Sequence, residues 1–182
     1  MDQQEFEQQL QDSVGLERGP YLGWDTCNKA MIRHWCDAMG DTNPVYSDPD
    51  SAAAIGADGK SVLAPPTMMQ AWTMVGYGGT HPEGSDERHP LPVLEMLDAA
   101  GYQAVVATNC EQEYFQAIAE GDDIKSYSSI ESISEQKTTG LGVGYFLTQL
   151  MEYRNQRDEK VGEMRFRILK YKPHARTPEE AG

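Results

Sequence analysis

The stretch TMMQAWTMVGYGG, residues 67–79, decides how the rest of the chain is read. Thr67 belongs to the residue types that cap helices, and it follows Pro65-Pro66, a pair that favours extended backbone. Met68, Met69, Ala71, Trp72, Met74 and Val75 leave almost no polar side, and a helix apolar all round is a buried one. Toward the C-terminus the hydrophobic period changes to two. AVVATNCEQEYFQAI (104–118), DIKSYSSIESISEQK (123–137), GVGYFLTQLMEYRNQ (142–156) and VGEMRFRILKYK (161–172) read as four antiparallel strands. Gly121-Asp122 and Asn155 to Lys160 read as their hairpin connections. Such a run of strands must cover one face, and residues 67–79 are the strongly apolar helix on offer. The expected class is α+β: a long antiparallel sheet wrapped around one central buried helix.

Upstream, residues 2–12 are Gln- and Glu-rich with Phe6 and Leu10 four apart, which suits a short surface helix. After a turn at Gly19-Pro20, YLGWDTC (21–27) reads as a first strand. Asn28 is a candidate N-cap for KAMIRHWCDAM (29–39), where Met31, Ile32, Trp35, Cys36 and Met39 fall at helical spacing, and Gly40 ends that helix. Residues 41–66 are rich in turn formers, and GGTHPEGSDERHPLPV (78–93) reads as a long solvated loop before the short helix LEMLDAAGY (94–102). The expected organisation is an N-terminal helical extension (1–19), one domain (20–173) and a linker-like tail, HARTPEEAG (174–182).

The chain has 182 residues and a formal net charge of −14. So acidic a surface repels phosphate backbones and anionic bilayers, so neither nucleic acid nor a membrane is an expected partner. Three scattered cysteines, Cys27, Cys36 and Cys110, form no CxxC pair, and His81 and His89 fit no ligand template. Buried free thiols, no metal and a cytoplasmic location are the expectations. No run of the sequence approaches a membrane span.

Residues 35–54, WCDAMGDTNPVYSDPDSAAA, carry the chemistry. They resemble the signature of R-specific enoyl-CoA hydratases and MaoC-like dehydratases, which are hot-dog proteins: Gly-Asp-x-Asn-Pro, an apolar residue, then His. Asp41, Asn43 and Pro44 match, and Tyr46 stands where those enzymes have His. APPTMM (64–69) resembles the segment that opens the family's central helix. Hydrating an α,β-unsaturated thioester needs a general base on water, a proton for the α-carbon and donors to the enolate oxygen. The resemblance gives the water-handling work to the Asp and His. A phenol has a pKa of about 10, so about one in a thousand is ionised at pH 7. The degenerate trio Asp41, Asn43 and Tyr46 therefore offers no confident catalytic residue, and Asp41 is read as bracing its own turn.

The strings IRHWCDAMGDTNPVY (32–46), APPTMMQAWTM (64–74), LDAAGYQAVVATNCEQEY (97–114) and RILKYKP (167–173) widen the likeness. Together they resemble the MaoC-like domain of the larger subunit of heteromeric steroid enoyl-CoA hydratases, which act in cholesterol side-chain degradation. That resemblance implies a smaller hot-dog partner carrying the catalytic Asp and His. It also implies a steroid enoyl-CoA thioester as substrate, with CoA as part of that substrate and no separate cofactor. The larger subunits commonly continue into a domain that docks a downstream aldolase. No such domain follows within residues 1–182, which suits either a truncated or a naturally short chain. Pro66, Thr67, Met68, Met69, Trp72, Thr73 and Gly76 are the candidate substrate-binding residues. Met and Trp there suit a core equally, and Gly76, Gly78 and Gly79 suit a helix terminator. A self-sufficient hydratase using Asp41, with His34 as the nearby base, and an acyl-CoA-binding scaffold are the competing readings.

Other features are weaker. GLGVG (140–144) lacks dinucleotide-loop spacing and opens a strand. Asn109 and Glu111 share a strand face without a nucleophile, so surface pairing is expected. Arg165, Arg167, Lys170 and Lys172 are candidates either for CoA phosphates or for ordinary ion pairing.

Overall fold

The computed structural model describes residues 2–174. The order is α1 (Gln3–Gln11), β1 (Arg18–Leu22), α2 (Lys29–Met39), a 3₁₀ turn (Pro44–Tyr46), α3 (Pro49–Ala53) and a 3₁₀ helix (Pro66–Thr73). Then come α4 (Pro92–Ala99), β2 (Ala104–Tyr114), β3 (Lys125–Ile133), β4 (Lys137–Thr138), β5 (Gly142–Arg154) and β6 (Lys160–Pro173). The sheet is antiparallel in the order β1-β3-β5-β6-β2, with β4 added on β5. The four long strands and both ends of α2 stand where the sequence puts them, while α4 starts at Pro92, before the expected Leu94, and ends at Ala99. Asn28 caps α2 through the Met31 N–H, and Gly40 closes it at φ 66°.

The central helix is shorter than expected. It is 3₁₀ rather than α and ends at Thr73, with Met74 extended. Thr67 does not cap it: Pro65 takes the N-cap position and makes no side-chain cap bond. Met74, Val75 and Tyr77 are exposed loop residues. The physical reason is the Gly76, Gly78 and Gly79 cluster, each glycine costing a helix about 1 kcal/mol relative to alanine. Apolar residues that looked like a fourth helical face belong to that loop.

Two connections also differ. Gly121-Asp122 is no hairpin, because β2 pairs with β6 while β3 pairs with β1 and β5. The segment carries the chain from β2 past β6 and β5 to β3 and satisfies its backbone elsewhere: Gly121 N–H donates to Cys27 O at 2.7 Å, and Cys27 N–H donates to Asp122 O at 2.8 Å. The buried Asp122 carboxylate accepts from Ala119 N at 2.8 Å and Gln156 Nε2 at 3.0 Å. Gly19-Pro20 lies inside β1 rather than before it, and the strand ends at Leu22. An edge strand tolerates proline. Gly19 is required there, since a Cβ would come within 2.9 Å of Ser126 O on β3 at a φ of +128°.

The loop read as solvated has a structural task. Ser85 and Asp86 cover the outer edge of β1, through Gly19 N to the Asp86 carboxylate at 2.8 Å, Asp86 N to Pro20 O at 2.8 Å and Leu22 N to Ser85 Oγ at 3.1 Å. The opposite edge, β2, has no such cover among the described residues, and Ala107–Tyr114 are all exposed.

The sheet packs against two hydrophobic clusters. One gathers around the 3₁₀ helix, with Met68, Met69, Trp72, Ile32, Tyr153 and Met164. The other lies under α1 and α4, with Leu10, Val93, Leu97, Tyr102, Tyr145 and Leu147. Leu10 is fully buried, so α1 is one wall of this second cluster rather than a surface addition. Of the tail expected at 174–182, only His174 falls within the described residues.

Candidate functional site

The Gly-Asp-Thr-Asn-Pro loop follows directly from the left-handed Gly40, which lets Asp41 N–H return to Cys36 O at 2.9 Å. The Asp41 carboxylate then accepts from Asn43 N at 3.0 Å, and Asn43 Oδ1 accepts from Val45 N at 3.3 Å. These are nested Asx turns that start the 3₁₀ turn carrying Tyr46. The bracing role read for Asp41 is what its geometry shows. Leu63 N–H donates to Val45 O at 3.0 Å, tying the loop to the segment before the 3₁₀ helix.

A cleft of about 410 Å³ opens here, lined by Lys29, Arg33, Cys36, Asp41, Tyr46 and Val62 among others. Lys29, Arg33 and Asp37 contribute one face of α2 at i, i+4 spacing, a pattern visible in the sequence but not used in reading it. Tyr46 is half-buried, and burial first, then the Asp41 carboxylate and the Cys36 thiol, push its pKa above the ordinary tyrosine value. It stays a neutral phenol. Cys36 is also pushed up, by burial and then by Asp41 and Asp37, so its thiol stays protonated. His34 is exposed on α2, beside the Arg33 guanidinium at 3.5 Å, and does not line the cleft. No imidazole is among the residues that line the cleft with Asp41.

The seven residues proposed to hold substrate do not share one wall. Met68, Met69, Trp72 and Thr73 are buried; Pro66 and Thr67 are exposed. Gly76 faces open space in the loop. Met69 Sδ occupies the hollow over Gly162, where a Cβ would sit 2.3 Å from it. The indole N–H of Trp72 is buried without a partner among the described residues.

The basic residues of β6 are largely engaged within the chain. Arg165 pairs with Glu131 at 2.8 Å and with Glu163, and buried Lys170 pairs with Asp98 on α4. Arg167 stacks 4.7 Å above the Phe146 ring, and Lys172 4.2 Å above that of Tyr102. Glu111 stands opposite Arg165 in register, yet no ion pair of Glu111 occurs among the described residues. The surface pairing expected of it is therefore not formed among the described residues: Arg165 is taken by Glu163 and Glu131. Cys27 is buried and its pKa pushed up to about 12, Cys36 is half-buried and Cys110 is exposed. No group of His, Cys, Asp and Glu that could hold a metal occurs among the described residues. No helix there is long and apolar enough to cross a membrane.

This arrangement, a sheet with a short helix against it and a Gly-Asp-x-Asn-Pro loop at one end, can now be set beside known proteins. The FAS1-like, dehydratase domain region family matches residues 23–164, and the chain belongs to that family, a MaoC-like hot-dog domain. The chain is 45% identical over 174 residues to a probable enoyl-CoA hydratase alpha subunit of Thermomonospora curvata, covering 95% of this chain and 54% of that one. It is 42% identical over 155 residues to the 3-oxo-4,17-pregnadiene-20-carboxyl-CoA hydratase alpha subunit of Mycobacterium tuberculosis, covering 85% and 48%. It thus spans about half the length of the curated relatives it matches. Among solved structures, a chain of the ChsH1-ChsH2 complex from Mycobacterium tuberculosis superposes with a TM-score of 0.81 at 40% identity, covering 94% of this chain and 96% of that chain.

Proposed function

We propose that this chain is the substrate-accommodating, non-catalytic part of a heteromeric enoyl-CoA hydratase that adds water to the α,β-unsaturated CoA thioester of a steroid side chain. The observation that carries the reading is Tyr46: in the position where the motif has its base, burial and Asp41 hold a phenol in its neutral form. Asp41 Oδ1 is engaged by Asn43 N in the turn. The general base must then come from a second chain, and the uncovered β2 edge supports a hot-dog partner docking there by strand addition. The names of the relatives, both hydratase alpha subunits and one of a steroid-CoA hydratase, support the reaction and the substrate class. Docking of a downstream aldolase is proposed for the longer proteins of this type, through the half of their length that this chain does not span.

Co-expression with a small hot-dog chain bearing the intact Asp and His tests the reading. The purified complex is expected to hydrate a steroid enoyl-CoA, and this chain alone to be inactive. Turnover by the lone chain at the rate of the mixture would overturn it.

A further inference from the structure

Along β5 the residues facing the helices are Tyr145, Leu147, Gln149, Met151 and Tyr153, every second position. Tyr145, Leu147 and Tyr153 are at most 1% exposed, being covered by the two hydrophobic clusters, whereas Gln149 and Met151 between them are only half-buried. β6 repeats the dip: Met164 and Lys170 are buried, and Phe166 and Ile168 between them are not. The helix-facing side of the sheet is therefore covered less completely at its middle, where Met151 and Phe166 touch the first cluster and Ile168 the second without being buried. The 3₁₀ helix stops at one end of this stretch, and α1 with α4 covers the other.

The cross-strand register shows where this stretch leads. Ile130, Gln149, Phe166 and Cys110 lie opposite one another across β3, β5, β6 and β2. Ile130 is buried, Gln149 and Phe166 are half-buried and Cys110 is exposed, so the row becomes more open toward β2, the side on which the partner is proposed to dock. Gln149 lies two strand spacings in from that edge, about 10 Å. At this inner end sits a polar pair beside Met151 and Phe166, with Gln112, bonded to Met164 Sδ at 3.2 Å, nearer the edge. Gln149 Nε2 donates to Ser128 Oγ at 2.9 Å, and Ser128 is buried. The second Nε2 hydrogen of Gln149, its Oε1 and the Ser128 hydroxyl hydrogen have no partner among the described residues.

A glutamine at a core-facing position loses hydration as soon as anything covers it, and an unmatched amide then carries the full desolvation cost. It suits a floor that is covered by a ligand with a matching polar group. We propose that the trough receives the rigid apolar tail of the thioester, and that the second Nε2 hydrogen of Gln149, whose first is held by Ser128, donates to a single oxygen function on that tail. This rests on the function proposed above and adds a specificity contact to it. The Met151 and Phe166 side chains supply the apolar walls, and the Gln149 amide makes a ring ketone or hydroxyl preferable to a bare hydrocarbon ring.

The test is calorimetric titration of the full chain, with the small hot-dog subunit co-purified, using a 3-oxo steroid carboxylate and its 3-deoxo counterpart. The oxygen-bearing compound is expected to bind about fivefold tighter, one net hydrogen bond. Gln149→Leu should remove that preference by weakening the ketone alone. Ser128→Ala, a smaller change, should reduce it, with thermal melts confirming that both variants fold. Equal affinity for the two compounds, binding of neither, or a Gln149→Leu loss shared equally by both would overturn the proposal. A complex that keeps the preference yet hydrates no enoyl thioester would sink the proposed function and leave this binding contact standing.

Discussion

Replacing Tyr46 by Phe in the two-chain complex removes one oxygen and leaves the ring that packs against the first cluster. The hydroxyl has no hydrogen-bond partner among the described residues, so the expected stability change is within about 0.5 kcal/mol. Its catalytic weight follows from its ionisation. The pKa lies above the ordinary tyrosine value of 10.0, so below about pH 9 the phenolate fraction stays small, and at pH 7 it is under about one in a thousand. A positioned general base contributes about 10²- to 10⁴-fold to such a reaction. If the base sits on the partner, kcat/KM of the Tyr46→Phe complex should stay within about twofold of the parent. The assay is the loss of enoyl-thioester absorbance, followed from about pH 6 to pH 9, with both profiles superimposing. A loss of about a hundredfold, or a change in the acidic limb of the profile, would refute the assignment of Tyr46 as a bystander.

Two further outcomes follow from the packing. Glu163 is buried between Lys160 and Arg165, whose hydrogen bonds hold its carboxyl below the ordinary glutamate value of 4.5. A depressed folded-state pKa gives stability that is present above about pH 4.5 and lost as the pH falls through the folded value. Glu163→Gln should cost about 2 kcal/mol at pH 7, reduced from a fully buried pair because both cations are about a third exposed, and should flatten the acid side of the urea-midpoint profile. An unchanged acid slope would contradict this. Asp122→Ala leaves Ala119 N and Gln156 Nε2 without their acceptor in the buried crossover, and should lower stability by about 2–3 kcal/mol in urea denaturation. A loss below about 0.5 kcal/mol would show that the crossover is held by its backbone bonds to Cys27 alone.

Whatever depends on local chemistry is legible in the chain. Period-two patterning located all four long strands, Asn28 and Gly40 bounded α2, and the Gly-Asp-Thr-Asn-Pro loop marked the family, with the Tyr46 phenol in the place of the motif's His. The exchange of a phenol for an imidazole could be judged from pKa values before any coordinate was known, and burial only moved it further in the same direction. Tertiary structure decided which strand lies beside which. Gly121-Asp122 has the composition of a hairpin, but pairing is a contest among all edges, and β2 found β6 instead of β3. It also decided which apolar residues count as core: Met68 and Met74 look alike in the chain, and one is buried while the other lies in a glycine-weakened loop. The trough and its Gln149–Ser128 pair were illegible for the same reason. A half-covered position is defined by what fails to pack over it, and that depends on elements distant in sequence.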